Sequence, residues 1–155
     1  KKFFLSVFLI SFIGFFIEVL GVYTGFLFGE YNYGNKLGLE IFNVPLVIAL
    51  NWFILVYASR GSVNYFLKNK YLQILFSSII MVLLDILIEP IAIELGWWSW
   101  VINSVPLQNY LMWFVVSVIM QVIISNNNHE ISKSVSISLL LSQISFFIYL
   151  NMTII

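Results

Sequence analysis

Of the 155 residues, 61% are hydrophobic and 9% charged, whereas a soluble domain carries about 25% charged residues. With a mean hydropathy of +1.01, the chain reads as an integral membrane protein. Zero net charge gives no hint of a nucleic acid or acidic partner, and the absence of Cys excludes disulfides, thiolate metal sites and cysteine nucleophiles.

A spanning helix needs about 20 mostly apolar residues. Five stretches qualify: 3–22, 41–59, 72–94, 107–124 and 134–155. The expected fold is all-α, a polytopic transmembrane helical bundle forming one domain over 1–155. The chain opens on Lys1 rather than Met, so an N-terminal piece is expected to be missing, and the spans of the whole protein cannot be counted. The first span has the look of a signal peptide, with Lys1 and Lys2 before an apolar core. Glu18 interrupts that core and no small-x-small cleavage pattern follows, so a span is preferred.

Span 1 places Ser11, Gly14, Glu18, Gly21 and Gly25 on one face. Gly21, Gly25 and Gly29 repeat at four-residue spacing, which reads as a helix-packing surface continuing beyond the span. The segment 23–40 is a Gly- and Tyr-rich loop with Glu30, Tyr31 and Tyr33. Span 2 carries Asn51 and Trp52, and 60–70 reads as a basic loop. Span 3 holds the most telling stretch, ILFSSIIMVLLDILIEPIAIEL from Ile74 to Leu95. Asp85 and Glu89 lie one turn apart on one face, shared with Ser78, and Pro90 follows at once. A membrane-embedded Asp costs roughly 3 kcal/mol on insertion scales, so such a pair is a functional hypothesis by default.

An aromatic loop follows at 96–106, with Trp97, Trp98 and Trp100. An interfacial belt is the plain reading of the three indoles; rings that stabilise a positive charge are the functional one. Span 4 aligns Asn109, Trp113, Ser117 and Gln121 on one face. The polar loop 125–133 contains His129, read as solvated.

Lys and Arg favour the cytoplasmic side. With the N-terminus inside, Lys1, Lys2, Arg60, Lys68, Lys70 and Lys133 are cytoplasmic and Lys36 alone is outside. No Lys or Arg is then expected within a span, and the inner half of the bundle is expected to be almost purely apolar. The polar groups gather in the outer half. There Glu18, Asp85 and Glu89 have either a structural role, bonded to Asn51 or Asn109, or a chemical one. Burial disfavours their charged forms, and function is preferred. One His cannot build a multi-histidine di-iron site, one Asp cannot build an Asp-rich magnesium site, and no GxGxxG fingerprint is present. What remains is acid–base chemistry without a redox cofactor, or binding without chemistry.

The series E-x-x-G-x-x-T-G-x-x-F-G-x-Y-x-Y from Glu18 to Tyr33, LG at Leu37–Gly38, VPL at Val44–Leu46, NW at Asn51–Trp52, DILIEP at Asp85–Pro90, WWSW at Trp97–Trp100 and VPLQNYLMW at Val105–Trp113 resembles the carotenoid 1,2-hydratase family. Its members hydrate γ-carotene, lycopene or bisanhydrobacterioruberin. The resemblance covers roughly residues 14–115 and leaves the last span unmatched. It implies a cofactor-independent lyase of the cell membrane that adds water across the 1,2 double bond of an acyclic ψ end group, giving a tertiary 1-hydroxy carotenoid. Asp85, Glu89 and Glu18 would be catalytic. Asn51, Trp52, Tyr31, Tyr33, Trp97, Trp98, Trp100, Asn109 and Trp113 would bind substrate. The partners implied are an acyclic or monocyclic carotenoid, the lipid bilayer and other carotenoid-pathway enzymes. The competing classes are a small-molecule-binding component of a transporter and a subunit with only a packing role.

Overall fold

A computed structural model describes residues 1–126 and 131–155; His129 lies outside the described residues. Five long helices form the bundle: α1 (Lys2–Thr24), α2 (Leu46–Phe66), α3 (Lys70–Glu94), α4 (Leu107–Asn126) and α5 (Lys133–Ile154). All five are long and apolar enough to cross a membrane. The protein is a multi-pass, all-α membrane protein. Its exterior is rich in exposed Phe, Leu and Ile, for example the Phe4, Phe8, Phe12 and Phe16 stripe of α1, as expected where lipid rather than water is the solvent.

Helices α1, α3, α4 and α5 start and end close to the expected apolar runs. Helix α2 does not: it begins five residues late and continues to Phe66. Residues 41–45 belong instead to a hairpin in which β2 (Glu40–Ile41) pairs antiparallel with β3 (Val44–Pro45). Phe42 and Asn43 turn it, both with positive φ, as a two-residue primed turn requires. At the other end, Arg60 falls inside α2 and is 4% exposed. It donates to Gln73 Oε1 (3.0 Å) and Ser125 Oγ (3.1 Å). A guanidinium is therefore held within a span, and the segment 60–66 is helix rather than basic loop.

The loops that follow α1 and α3 meet. Strand β1 (Tyr31–Tyr33) pairs antiparallel with β4 (Trp98–Trp100), in register Tyr31↔Trp100, Asn32↔Ser99 and Tyr33↔Trp98. Gly34 N donates to Trp97 O (2.8 Å) and Val101 N to Glu30 O (3.0 Å), extending the ladder at both ends. Side chains alternate across a strand, so Asn32 and Ser99 are exposed while Tyr31 and Trp100 are buried. This two-stranded sheet caps the bundle above the carboxylates.

The glycines of α1 do not form the expected helix–helix surface. Gly25, at φ +61, ends the helix. A Cβ at Gly21 would meet the Phe28 ring and the Tyr31 hydroxyl, and one at Gly29 would meet Pro106. These positions let the following loop fold back over the helix end. Gly14 lets α1 pack directly on the Trp52 side chain of α2, since a Cβ there would sit 2.6 Å from Trp52 Cγ.

The half of the bundle toward Lys70 and Lys133, expected to be almost purely apolar, is more polar than that. Ser59, Arg60, Ser62, Ser77, Ser117, Gln121 and Ser136 are all buried, and Ser59, Ser62 and Ser78 return their hydroxyls to carbonyls one turn earlier. The lysines sort as expected by end. Lys70 donates to Asn126 Oδ1 (2.9 Å) and Lys133 lies over the Tyr65 ring. At the opposite end, Lys36 donates to the Leu95 carbonyl (2.9 Å), a favourable place for a cation beside the C-terminus of α3.

Candidate active site

Glu18, Asp85 and Glu89 project from α1 and α3 into one buried space, with exposures of 4%, 2% and 2%. Each is met by donors from different elements. Glu18 Oε2 accepts the Tyr31 hydroxyl (2.6 Å) and the Tyr33 hydroxyl (2.9 Å), and its Oε1 accepts Trp52 Nε1 (3.0 Å). Glu89 Oε2 accepts both Trp98 Nε1 and Trp100 Nε1 at 3.0 Å. Asn109 Nδ2 bridges the pair on α3, donating to Asp85 Oδ2 (2.9 Å) and Glu89 Oε1 (3.3 Å).

The capping sheet is thus a donor array. The alternation that buries Tyr31 and Trp100 brings two phenols to Glu18 and two indoles to Glu89. Burial and the neighbouring Glu18 carboxyl hold the Tyr31 and Tyr33 phenols well above the ordinary tyrosine range, so both remain O–H donors. Asp85 differs from the two glutamates. Among the described residues it accepts the Asn109 amide alone, against three donors on each glutamate.

Between these groups lies a cavity of about 40 Å³, room for about three waters at roughly 10–15 Å³ each. Of the residues expected to form the site, Glu18, Asp85, Glu89, Tyr31, Tyr33, Asn51, Trp52, Trp98, Trp100, Asn109 and Trp113 all line it. The stacked Trp52 and Trp113 rings, 4.3 Å apart, form one wall. Trp97 is placed elsewhere: its ring packs edge-on against Phe147 of α5, 6.3 Å away. It precedes β4, whereas Trp98 and Trp100 share the inward parity of the strand. Phe28, Ile48 and Ile88 also line the cavity and were not foreseen. Ile88, three residues past Asp85, and Ile48, three before Asn51, were legible from helical spacing. Phe28 was not, because it depends on the chain reversing after Gly25.

The model of the family described as "Carotenoid biosynthesis protein" matches residues 1–155. The chain is 31% identical over 112 residues to the bisanhydrobacterioruberin hydratase of Haloarcula japonica, covering 64% of this chain and 36% of that relative. It therefore spans about a third of the curated protein it matches. No solved structure matches. With the family model matched from end to end, the chain belongs to the carotenoid biosynthesis protein family.

Proposed function

We propose that the protein is a carotenoid hydratase of the cell membrane, which adds water across the 1,2 double bond of an acyclic ψ end group. The observation that carries this reading is the unequal hydrogen bonding of three buried carboxyls around a water-sized cavity walled largely by aromatic rings. Three donors on each of Glu18 and Glu89 favour carboxylates there. The sparsely bonded Asp85 is left to carry the proton, since adjacent like charges disfavour full ionisation.

The step balances on these groups. The alkene π pair takes the Asp85 proton at C-2, leaving a tertiary cation at C-1. The Glu18 and Glu89 carboxylates stabilise that cation as it forms. A cavity water bonds C-1 through its oxygen, and its surplus proton returns to the Asp85 carboxylate. The product is the tertiary alcohol, and the acid is restored. The polyene is itself membrane-soluble and reaches the bundle through lipid.

Expression in a lycopene-producing host, followed by chromatography, tests the activity directly. In ¹⁸O-water under strict anaerobiosis the 1-hydroxy product is expected to carry the label; an oxygen requirement would sink the hydratase reading. Orientation is also part of the proposal: the lysine-rich end of the bundle is cytoplasmic and the capping sheet faces outward. Ser99→Cys, in this Cys-free chain, is then expected to react with an impermeant thiol reagent from the outer side. Labelling only from the cytoplasm would reverse the orientation.

A further inference from the structure

Hydration consumes water as a substrate, and the β1–β4 sheet closes the outer end of the bundle over Glu18 and Glu89. Below the cavity, α3 and α4 carry facing polar rows. On α3, Gln73, Ser77, Met81 and Asp85 recur every fourth residue; on α4, Asn109, Trp113, Ser117, Gln121 and Ser125 do the same. Three contacts fix the two rows against each other along their length. Asn109 meets Asp85 (2.9 Å), Gln121 Nε2 meets Met81 Sδ (3.5 Å), and Arg60 joins Gln73 to Ser125. The seam therefore runs from the cavity to the lysine-rich end.

Some of its buried polar atoms have no protein partner. Among the described residues, six buried side-chain N or O atoms have no hydrogen-bond partner, and four lie here: Ser77 Oγ, Ser117 Oγ, Gln121 Oε1 and Arg60 Nη1. Ser77, Ser117 and Gln121 are each 0% exposed. A packing serine in a helix bonds the carbonyl of the preceding turn, as Ser59, Ser62 and Ser78 do; Ser77 and Ser117 do not. Buried polar groups without a protein partner are characteristically bridged by water. We infer that the α3–α4 seam, through Ser77, Ser117 and Gln121, holds a file of buried waters that supplies the cavity at Asp85 from the lysine-rich side. The inference rests on the hydration reading for its purpose, but not for its existence.

Hydroxyl-radical footprinting reads such water directly, because radicals formed from a bound water by an X-ray pulse oxidise the side chain touching it. The sample is the intact protein in lipid nanodiscs, without carotenoid. Met81, 0% exposed yet against Gln121, is expected to be oxidised. Ser117→Val combined with Gln121→Leu is expected to abolish that oxidation and to slow hydration. Ser117→Thr, which keeps the hydroxyl, should retain both. Met152, 81% exposed near the end of α5, reports the radical dose. A Met81 left unoxidised in the wild-type protein overturns the seam, whatever the carotenoid assay gives. Oxidation lost in the double variant with hydration undiminished overturns the route to Asp85. An oxidised Met81 in a wild-type protein that forms no hydroxylated product supports the wet seam and sinks the hydratase reading alone.

Discussion

Asp85→Asn is expected to lower formation of the 1-hydroxy carotenoid by about 10²–10⁴-fold, the range contributed by a positioned general acid. The amide has nearly the shape of the carboxyl and can still pair with Asn109, so the bundle should assemble and reach normal membrane levels. What it lacks is a proton acidic enough for C-2. The measurement is product per unit of membrane-inserted protein in a lycopene-producing host. Near-normal turnover would place the proton donor on another carboxyl.

Glu89→Gln is expected to cost about 10²–10³-fold, comparable to removing one preorganised electrostatic contact from a buried reacting centre. The Trp98 and Trp100 indoles can both donate to the amide oxygen as they do to Oε2. The amide nitrogen then faces the Asn109 amide, where Oε1 now accepts a bond, and the negative charge beside the cation is gone. Glu94→Gln supplies the control. Glu94 is exposed at the end of α3, and its loss should leave product formation within about twofold, as surface changes usually fall within about 0.5 kcal/mol. If the amides of Asp85, Glu89 and Glu18 all remain active, the carboxyl mechanism is wrong.

Four helices could be read from the sequence because each is an apolar run bounded by polar residues. Helix α2 could not. Arg60, with serines on either side, has the composition of a loop, and its burial depends on Gln73 and Ser125 from two other helices. No pattern local to residues 55–65 reports those partners. The carboxylates were legible as costly residues in apolar surroundings, and their shared face followed from helical spacing. Which donor serves which acid was not, because that is decided by the pairing of Tyr-Asn-Tyr with Trp-Ser-Trp across the bundle. The alternation in both triplets was visible; their mutual register is a tertiary fact. The same register separates Trp98 and Trp100 from Trp97.

The capping sheet also sets an order of events during synthesis. Strand β1 emerges after the first helix, but its partner β4 lies beyond the third. Glu89 and both indoles that bond it are therefore absent until α3 and β4 have been made. A ribosome releasing the protein one span at a time thus holds Glu18 alone for most of the process. A slip of one residue in β4 would turn both indoles away from Glu89 together. The carboxyl cluster therefore gains its full set of donors only once β1 and β4 have paired, and a copy without that pairing lacks the donor array.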